Sequence, residues 1–230
     1  MPIIDLTQPI HPGMPVYPGD EPPTITTTAT ISREGYQVQH LTLTSHTGTH
    51  LDAPAHLIPG GMTLDRFPVS HFQGQALVVE CRQVQGEILL AHLEPLARLQ
   101  GAEFILLRTG WDRYWGQERY FTGYPVLSHD AAALLASLPL KGIGVDAISL
   151  DSPDATLLPN HHAFLAQDMV IIENLTHLDA IPDQACQLYC LPLAIAAADG
   201  APARVIACLP EYFPVGSARH WHSNQLTFLT

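Results

Sequence analysis

The order of hydrophobic patterns predicts a mixed α/β fold, and three observations carry that expectation. The first half of the chain is rich in strand-forming residues, the second half alternates short apolar strands with alanine- and leucine-rich helical segments, and no internal repeat, linker or low-complexity tract interrupts either half. A single domain over residues 1–230 is the expectation. With 47% hydrophobic and 14% charged residues, the chain has ample apolar material for a core.

Taken in order, Ile10-His11-Pro12-Gly13-Met14-Pro15-Val16-Tyr17-Pro18-Gly19-Asp20 has neither helical nor strand period. It reads as a surface connection, and an arm that folds over a pocket to form an aromatic wall, with Tyr17 and Met14 in it, is the alternative. Residues 24–31 are threonine-rich, and 37–45 alternates Val38, His40, Thr42 and Thr44 against Gln39, Leu41 and Leu43, so two neighbouring strands are expected there. Further strands are expected at 75–81 and 104–107, with a helix over 88–99 that Pro95 starts late or kinks. The aromatic stretch 111–124 suits a packed surface loop, and a share in the substrate cavity or a subunit contact is the alternative. Ser128 is a suitable N-cap for a helix running to Leu138. Strands at 143–150, 170–172, 188–193 and 204–209 and a short helical piece at 163–167 complete the pattern.

Composition narrows the function. Twenty-two acidic against 10 basic residues give a formal charge of −12, which argues against a phosphate-backbone partner, so no nucleic acid is expected. The start Met1-Pro2-Ile3-Ile4-Asp5-Leu6 lacks the features of a signal peptide, and no run reaches the roughly 18 apolar residues that span a bilayer. No membrane association and a cytoplasmic location are therefore expected. Cys81, Cys186, Cys190 and Cys208 are scattered through apolar surroundings without a C-x-x-C pair, and they read as buried free thiols.

The chemistry concentrates in residues 45–57, Ser-His-Thr-Gly-Thr-His-Leu-Asp-Ala-Pro-Ala-His-Leu, which hold His46, His50, Asp52 and His56. Imidazole and carboxylate together suit zinc, manganese or iron(II). No regular element focuses them: a helix would turn Asp52 away from His46 and His50, and an ideal strand would leave His46 and Asp52 about 20 Å apart. A strand over 41–45 that breaks near Gly48 and curls is the expected solution. More ligands must come from elsewhere. The candidates are the pair His161-His162 and Glu173, which ends the buried-strand pattern Met169-Val170-Ile171-Ile172. Asp146 and Asp151 are candidates for orienting ligand imidazoles or for forming turns. His220-Trp221-His222 matches a metal pair by spacing alone, and no Gly-x-Ser-x-Gly elbow offers a serine nucleophile.

His46-Thr-Gly-Thr-His50-Leu-Asp52-Ala-Pro54-Ala-His56 resembles the H-x-G-T-H-x-D-x-P-x-H signature of the cyclase family of metal-dependent hydrolases, which includes bacterial kynurenine formamidase and isatin hydrolase. Val16-Tyr17-Pro18-Gly19-Asp20, Leu107-Arg108-Thr109-Gly110-Trp111, Gly144-Val145-Asp146-Ala147-Ile148-Ser149-Leu150-Asp151 and Ile172-Glu173-Asn174-Leu175 resemble further family blocks in the same order. The resemblance implies a swivelling β/β/α domain, usually a homodimer or larger homo-oligomer. It also implies hydrolysis of a C–N bond in an amide, formamide or lactam, in the manner of a kynurenine formamidase (arylformamidase) or an isatin-hydrolase-like cyclic amide hydrolase. In the formamidase pattern His46, His50 and Asp52 hold one zinc, and Asp52 and Glu173 bridge to a second that His161 also binds. Relatives like isatin hydrolase use one manganese. His56 is implied as the acid/base, and Tyr17 stands where formamidases commonly carry a tryptophan against the substrate ring. A non-catalytic metal-binding module is the alternative from another class.

Overall fold

The computed structural model describes residues 2–93, 101–182 and 185–209. Its strands in chain order are β1 (Ile3–Asp5), β2 (Thr24–Ala29), β3 (Val38–Thr42), β4 (His50–Asp52), β5 (Gln73–Glu80), β6 (Glu87–Ile88), β7 (Phe104–Arg108), β8 (Val126–Leu127), β9 (Gly142–Val145), β10 (Val170–Glu173), β11 (Ala185–Pro192) and β12 (Gly200–Cys208). The helices are α1 (Ile31–Glu34), α2 (His129–Ala136) and α3 (Pro159–Leu165). The mixed α/β expectation holds.

Eight strands form one sheet in the order β1-β12-β11-β5-β7-β9-β10-β4, and a further β4–β12 pairing closes seven of them into a barrel. Closure leaves β4 hydrogen-bonded on both sides, so this short strand has no free edge. β5, β7, β9 and β10 run parallel, and their sequences are correspondingly continuous apolar runs, as strands covered on both faces require. Side-chain alternation divides them between two cores. Ala76, Val78, Phe104, Leu106, Val170 and Ile172 join the cluster that fills the barrel, with Leu51 of β4. Leu77, Val79, Ile105, Leu107, Ile143 and Ile171 face the other way, against α2 and α3. Each fully buried Leu, Ile or Phe contributes about 1.5–3 kcal/mol by leaving water.

Several elements depart from the sequence expectation in extent. The strand expected over 143–150 stops at Val145, after which the chain bends and Asn174 and Leu175 bond back to the carbonyls of Ala147 and Val145. The helical piece expected at 163–167 begins at Pro159, which occupies the first turn where its missing N–H costs nothing. Over 88–93 the chain leaves β6 and enters a 3₁₀ turn, while the rest of the expected 88–99 helix, like His220 and His222, lies outside the described residues. All four cysteines are free and buried, as expected. Among the described residues no helix is long and apolar enough to cross a membrane.

Candidate metal centre and active site

The bend expected at Gly48 is present, but the strand leading to it ends at Thr42 instead of running over 41–45. Gly48 has φ +68°, a conformation that opposes a side chain, and a Cβ there would lie 3.2 Å from the Met14 Cε. On either side the chain is pinned: Thr44 N–H donates to Thr47 Oγ1 at 3.0 Å, and the Thr49 hydroxyl donates to the Asn174 carbonyl at 2.7 Å. The bend brings His46 Nδ1 to 2.7 Å from Asp52 Oδ1, a separation that an ideal strand would have made about 20 Å. His50 Nε2 lies 3.2 Å from the same oxygen, and its Nδ1–H donates to the Gly48 carbonyl at 2.8 Å. Alternation along β4 sends Leu51 into the barrel and leaves His50 and Asp52 on the outer face.

Register supplies the second half. β10 runs antiparallel to β4 with Glu173 opposite His50 and Ile171 opposite Asp52, so the carboxylate at the end of β10 lands beside the imidazole. His50 Nε2 is 3.5 Å from Glu173 Oε2. The first turn of α3 then delivers His161. Asp151 accepts the backbone N–H groups of Asn160 and His161 at 2.9 and 3.0 Å and the His161 Nδ1–H at 2.6 Å. His161 Nε2 therefore faces inward, 3.1 Å from Glu173 Oε1 and 3.6 Å from Asp52 Oδ2. His162, one helical step round, is exposed. Asp151 thus has the imidazole-orienting placement considered for it, whereas Asp146 instead accepts from the Thr109 hydroxyl and from the N–H groups of Thr109 and Gly110, holding the turn after β7.

The aromatic stretch takes no part in the cavity wall. Its Tyr120 hydroxyl donates at 2.8 Å to Asn174 Oδ1, while Asn174 Nδ2 donates to the Gly48 carbonyl at 2.8 Å. Its Tyr124 hydroxyl donates at 2.8 Å to the Asp151 carbonyl. Both tyrosines hold the residues that hold the imidazoles.

One acidic residue of the site carries no sequence signal. Asp199 precedes Gly200 at the start of β12, where an Asp-Gly pair before an apolar run reads as a turn. Its Oδ2 lies 3.0 Å from His46 Nε2 and 3.5 Å from His56 Nδ1. The His46 and His56 rings are 4.2 Å apart, and His56 and His161 6.4 Å.

Three imidazoles and two carboxylates therefore converge, with His50, Asp52, His161 and Glu173 buried and His46 half-buried. Burial opposes ionisation of Asp52, yet His50, His161 and His46 hold its carboxyl well below the usual range. Burial would lower His46, but Asp52 and Asp199 raise it to about 9. His161 is driven well up, against burial, by Asp151, Asp52 and Glu173. Protons on the imidazoles thus balance buried carboxylates, the role that a divalent cation would take over. The donor set fits a cation: ligand atoms of His46, His50 and Asp52 lie within 4.8 Å of one another, as do those of Asp52, His161 and Glu173. His56 differs, being lowered by burial first and then by His46 and His161, with Asp52 opposing.

The cluster opens onto a cavity of about 260 Å³ whose wall includes Val16, Tyr17, Asp20, Ile148, Ser149 and Leu158 beside the imidazoles. Tyr17 is partly exposed on the arm at the cavity mouth.

The family model described as "Putative cyclase" matches residues 4–152. The chain is 34% identical to the kynurenine formamidase of Erythrobacter litoralis over 206 residues, covering 89% of this chain and 92% of that one. It is 32% identical to the kynurenine formamidase of Paracidovorax citrulli, covering 90% and 96%. Among solved structures, a predicted metal-dependent hydrolase from Bacillus stearothermophilus superposes with a TM-score of 0.74 at 28% identity over 90% of this chain and 97% of that one. An isatin hydrolase bound to the product analogue thioisatinate has a TM-score of 0.82 at 23% identity over 91% and 92%, which shows the shared fold. With its signature residues gathered at one buried site, this chain belongs to the cyclase family of metal-dependent hydrolases.

Proposed function

We propose that the protein is a metal-dependent amide hydrolase that cleaves the C–N bond of an arylformamide, the class named by its kynurenine formamidase relatives. The observation that carries this reading is a division within one cavity: His46, His50, Asp52, His161 and Glu173 form two donor groups that share Asp52, and His56, which groups instead with His46 and Asp199 on the more exposed side, lines the same cavity. His46, His50 and Asp52 would hold one ion, and Asp52, His161 and Glu173 a second, with Asp52 presenting Oδ1 to the first group and Oδ2 towards His161. Zinc or manganese suits these donors. An ion bound there polarises a carbonyl and lowers the pKa of a water molecule.

The remaining work falls to the chain. His56, lowered from its usual value, is neutral near pH 7 and able to take a proton and return it to the leaving nitrogen. Tyr17 and Ile148 offer apolar wall for a ring, and the 15–20 arm narrows the mouth against water. We place the protein in the cytoplasm as a homodimer or larger homo-oligomer. The β2–β3 ribbon supports the assembly, since two strands alone are marginal in water and Ile31, Tyr36, Val38 and Leu41 are exposed on or beside it.

The test is hydrolysis of N-formylkynurenine, isatin and simple cyclic amides with zinc and then manganese, in wild type and His56→Ala. Formamide cleavage that falls about 10²- to 10⁴-fold in His56→Ala, at unchanged metal content, is expected. Preference for isatin would move the substrate to cyclic amides. Loss of metal with His56 would make it a ligand, and metal binding without any hydrolysis would leave a non-catalytic module.

A further inference from the structure

We infer that Asp199 is the positioning carboxylate that holds His46 and His56 in one register, which rests on reading the site as a metal-dependent hydrolase. Each of the other two clustered imidazoles has its outer nitrogen fixed by an oxygen acceptor, Gly48 O for His50 and Asp151 Oδ2 for His161. Such acceptors set the tautomer and ring orientation of a ligating histidine. For His46, Nδ1 lies with the donor cluster, 2.7 Å from Asp52 Oδ1, and the nitrogen left over is Nε2, 3.0 Å from Asp199 Oδ2. Asp199 thus completes the set of three.

The same oxygen is 3.5 Å from His56 Nδ1. With Nδ1 turned to Asp199, the opposite ring nitrogen of His56, Nε2, is the one left for the substrate. One carboxylate then fixes both a ligand and the acid/base, so their spacing does not depend on two separate supports.

Its placement is built into the backbone. The Asp199 carbonyl accepts the Ala53 N–H at 2.8 Å, tying it to the short stretch between Asp52 and His56. The next residue, Gly200, lets the His46 ring lie against the chain, since a Cβ there would be 2.8 Å from His46 Cε1. The Asp199 side chain itself is 45% exposed, so its removal leaves the core intact.

The experiment compares Asp199→Ala and Asp199→Asn with wild type by zinc affinity in chelator competition, by kcat and KM on the best substrate, and by melting of the metal-free protein. Asp199→Ala is expected to weaken zinc about 10- to 100-fold and to lower kcat by a similar factor at saturating zinc, with KM within about threefold. Asp199→Asn, whose amide oxygen still accepts the Nε2–H, is expected to recover most of the zinc affinity. Zinc affinity and kcat both within about twofold of wild type in Asp199→Ala would overturn the inference. So would a fall in both variants accompanied by a melting temperature lower by more than about 5 °C, because that marks a folding role. If wild type itself neither binds zinc nor hydrolyses any amide, the functional reading is what has failed; if wild type does both and the variants match it, only the role of Asp199 has failed.

Discussion

The two poles of the donor cluster are built from opposite kinds of chain. His46 and His50 come from one bent segment, which also carries His56, whereas His161 and Glu173 arrive on a helix and a strand from a hundred residues further on, with Asp151 behind His161. They differ in access as well. The His46 side chain is 20% exposed beside the half-open Asp199, while His161 is 4% and Asp151 2% exposed. Their supports differ in burial, since a neutral carbonyl holds His50 and the half-open Asp199 carboxylate lies against His46, whereas the buried Asp151 carboxylate holds His161. A carboxylate raises the basicity of the imidazole it holds. Under the proposed function the sealed pole is expected to be the tighter grip on a cation, and the open pole the side where water and substrate enter.

The comparison breaks first at Asp52, which touches both poles. Asp52→Ala is expected to empty both groups of donors and cut turnover by about a thousandfold or more, the equivalent of several kcal/mol, read by elemental analysis and rate together. A variant that kept one ion per chain would show that the poles bind independently of Asp52. Next, Asp151→Ala should weaken metal retention about 10- to 100-fold, the sealed pole emptying first in a chelator titration. Retention at the wild-type level would show that Asp151 does not support the grip of the sealed pole.

A pH measurement sharpens the open pole. In metal-free protein the His46 pKa is raised to about 9 from an ordinary value of 6.5. Its stabilisation is then fully present below pH 6.5 and is lost as pH rises through about 9. Metal-stripped protein should melt lower at pH 9 than at pH 6.5, and added zinc should remove that loss by replacing the proton. An equal melting temperature across the window would mean that His46 is not held by Asp52 and Asp199. Smaller effects follow away from the donors. Gly48→Ala forces a left-handed residue and crowds Met14, for a cost of about 1–2 kcal/mol in urea unfolding. Tyr120→Phe removes one hydrogen bond to Asn174, about 1 kcal/mol by the same measurement.

The legible part of the site was the part that is local in the chain. The stretch from His46 to His56 announced itself by residue type and by the Gly48 bend that convergence demanded, and Glu173 by a carboxylate ending an apolar run. Asp199 gave no signal because an Asp-Gly pair before a strand has an adequate explanation as a turn. The helix legible at 163–167 begins earlier, at Pro159, because proline breaks a helix interior but is tolerated in a first turn. The aromatic stretch was ambiguous because packing, not composition, decides whether a tyrosine lines a cavity or supports it from behind.

Alternation, turn chemistry and ligand type are properties of neighbours along the chain, so the sequence alone determined the mixed α/β class, the buried thiols, the family signature and the need for a bend at Gly48. Which strands pair is a property of residues far apart, set by closing a sheet whose faces must both be buried. Tertiary structure alone therefore put Glu173 opposite His50, turned His161 inward and His162 out, and brought Asp199 between His46 and His56.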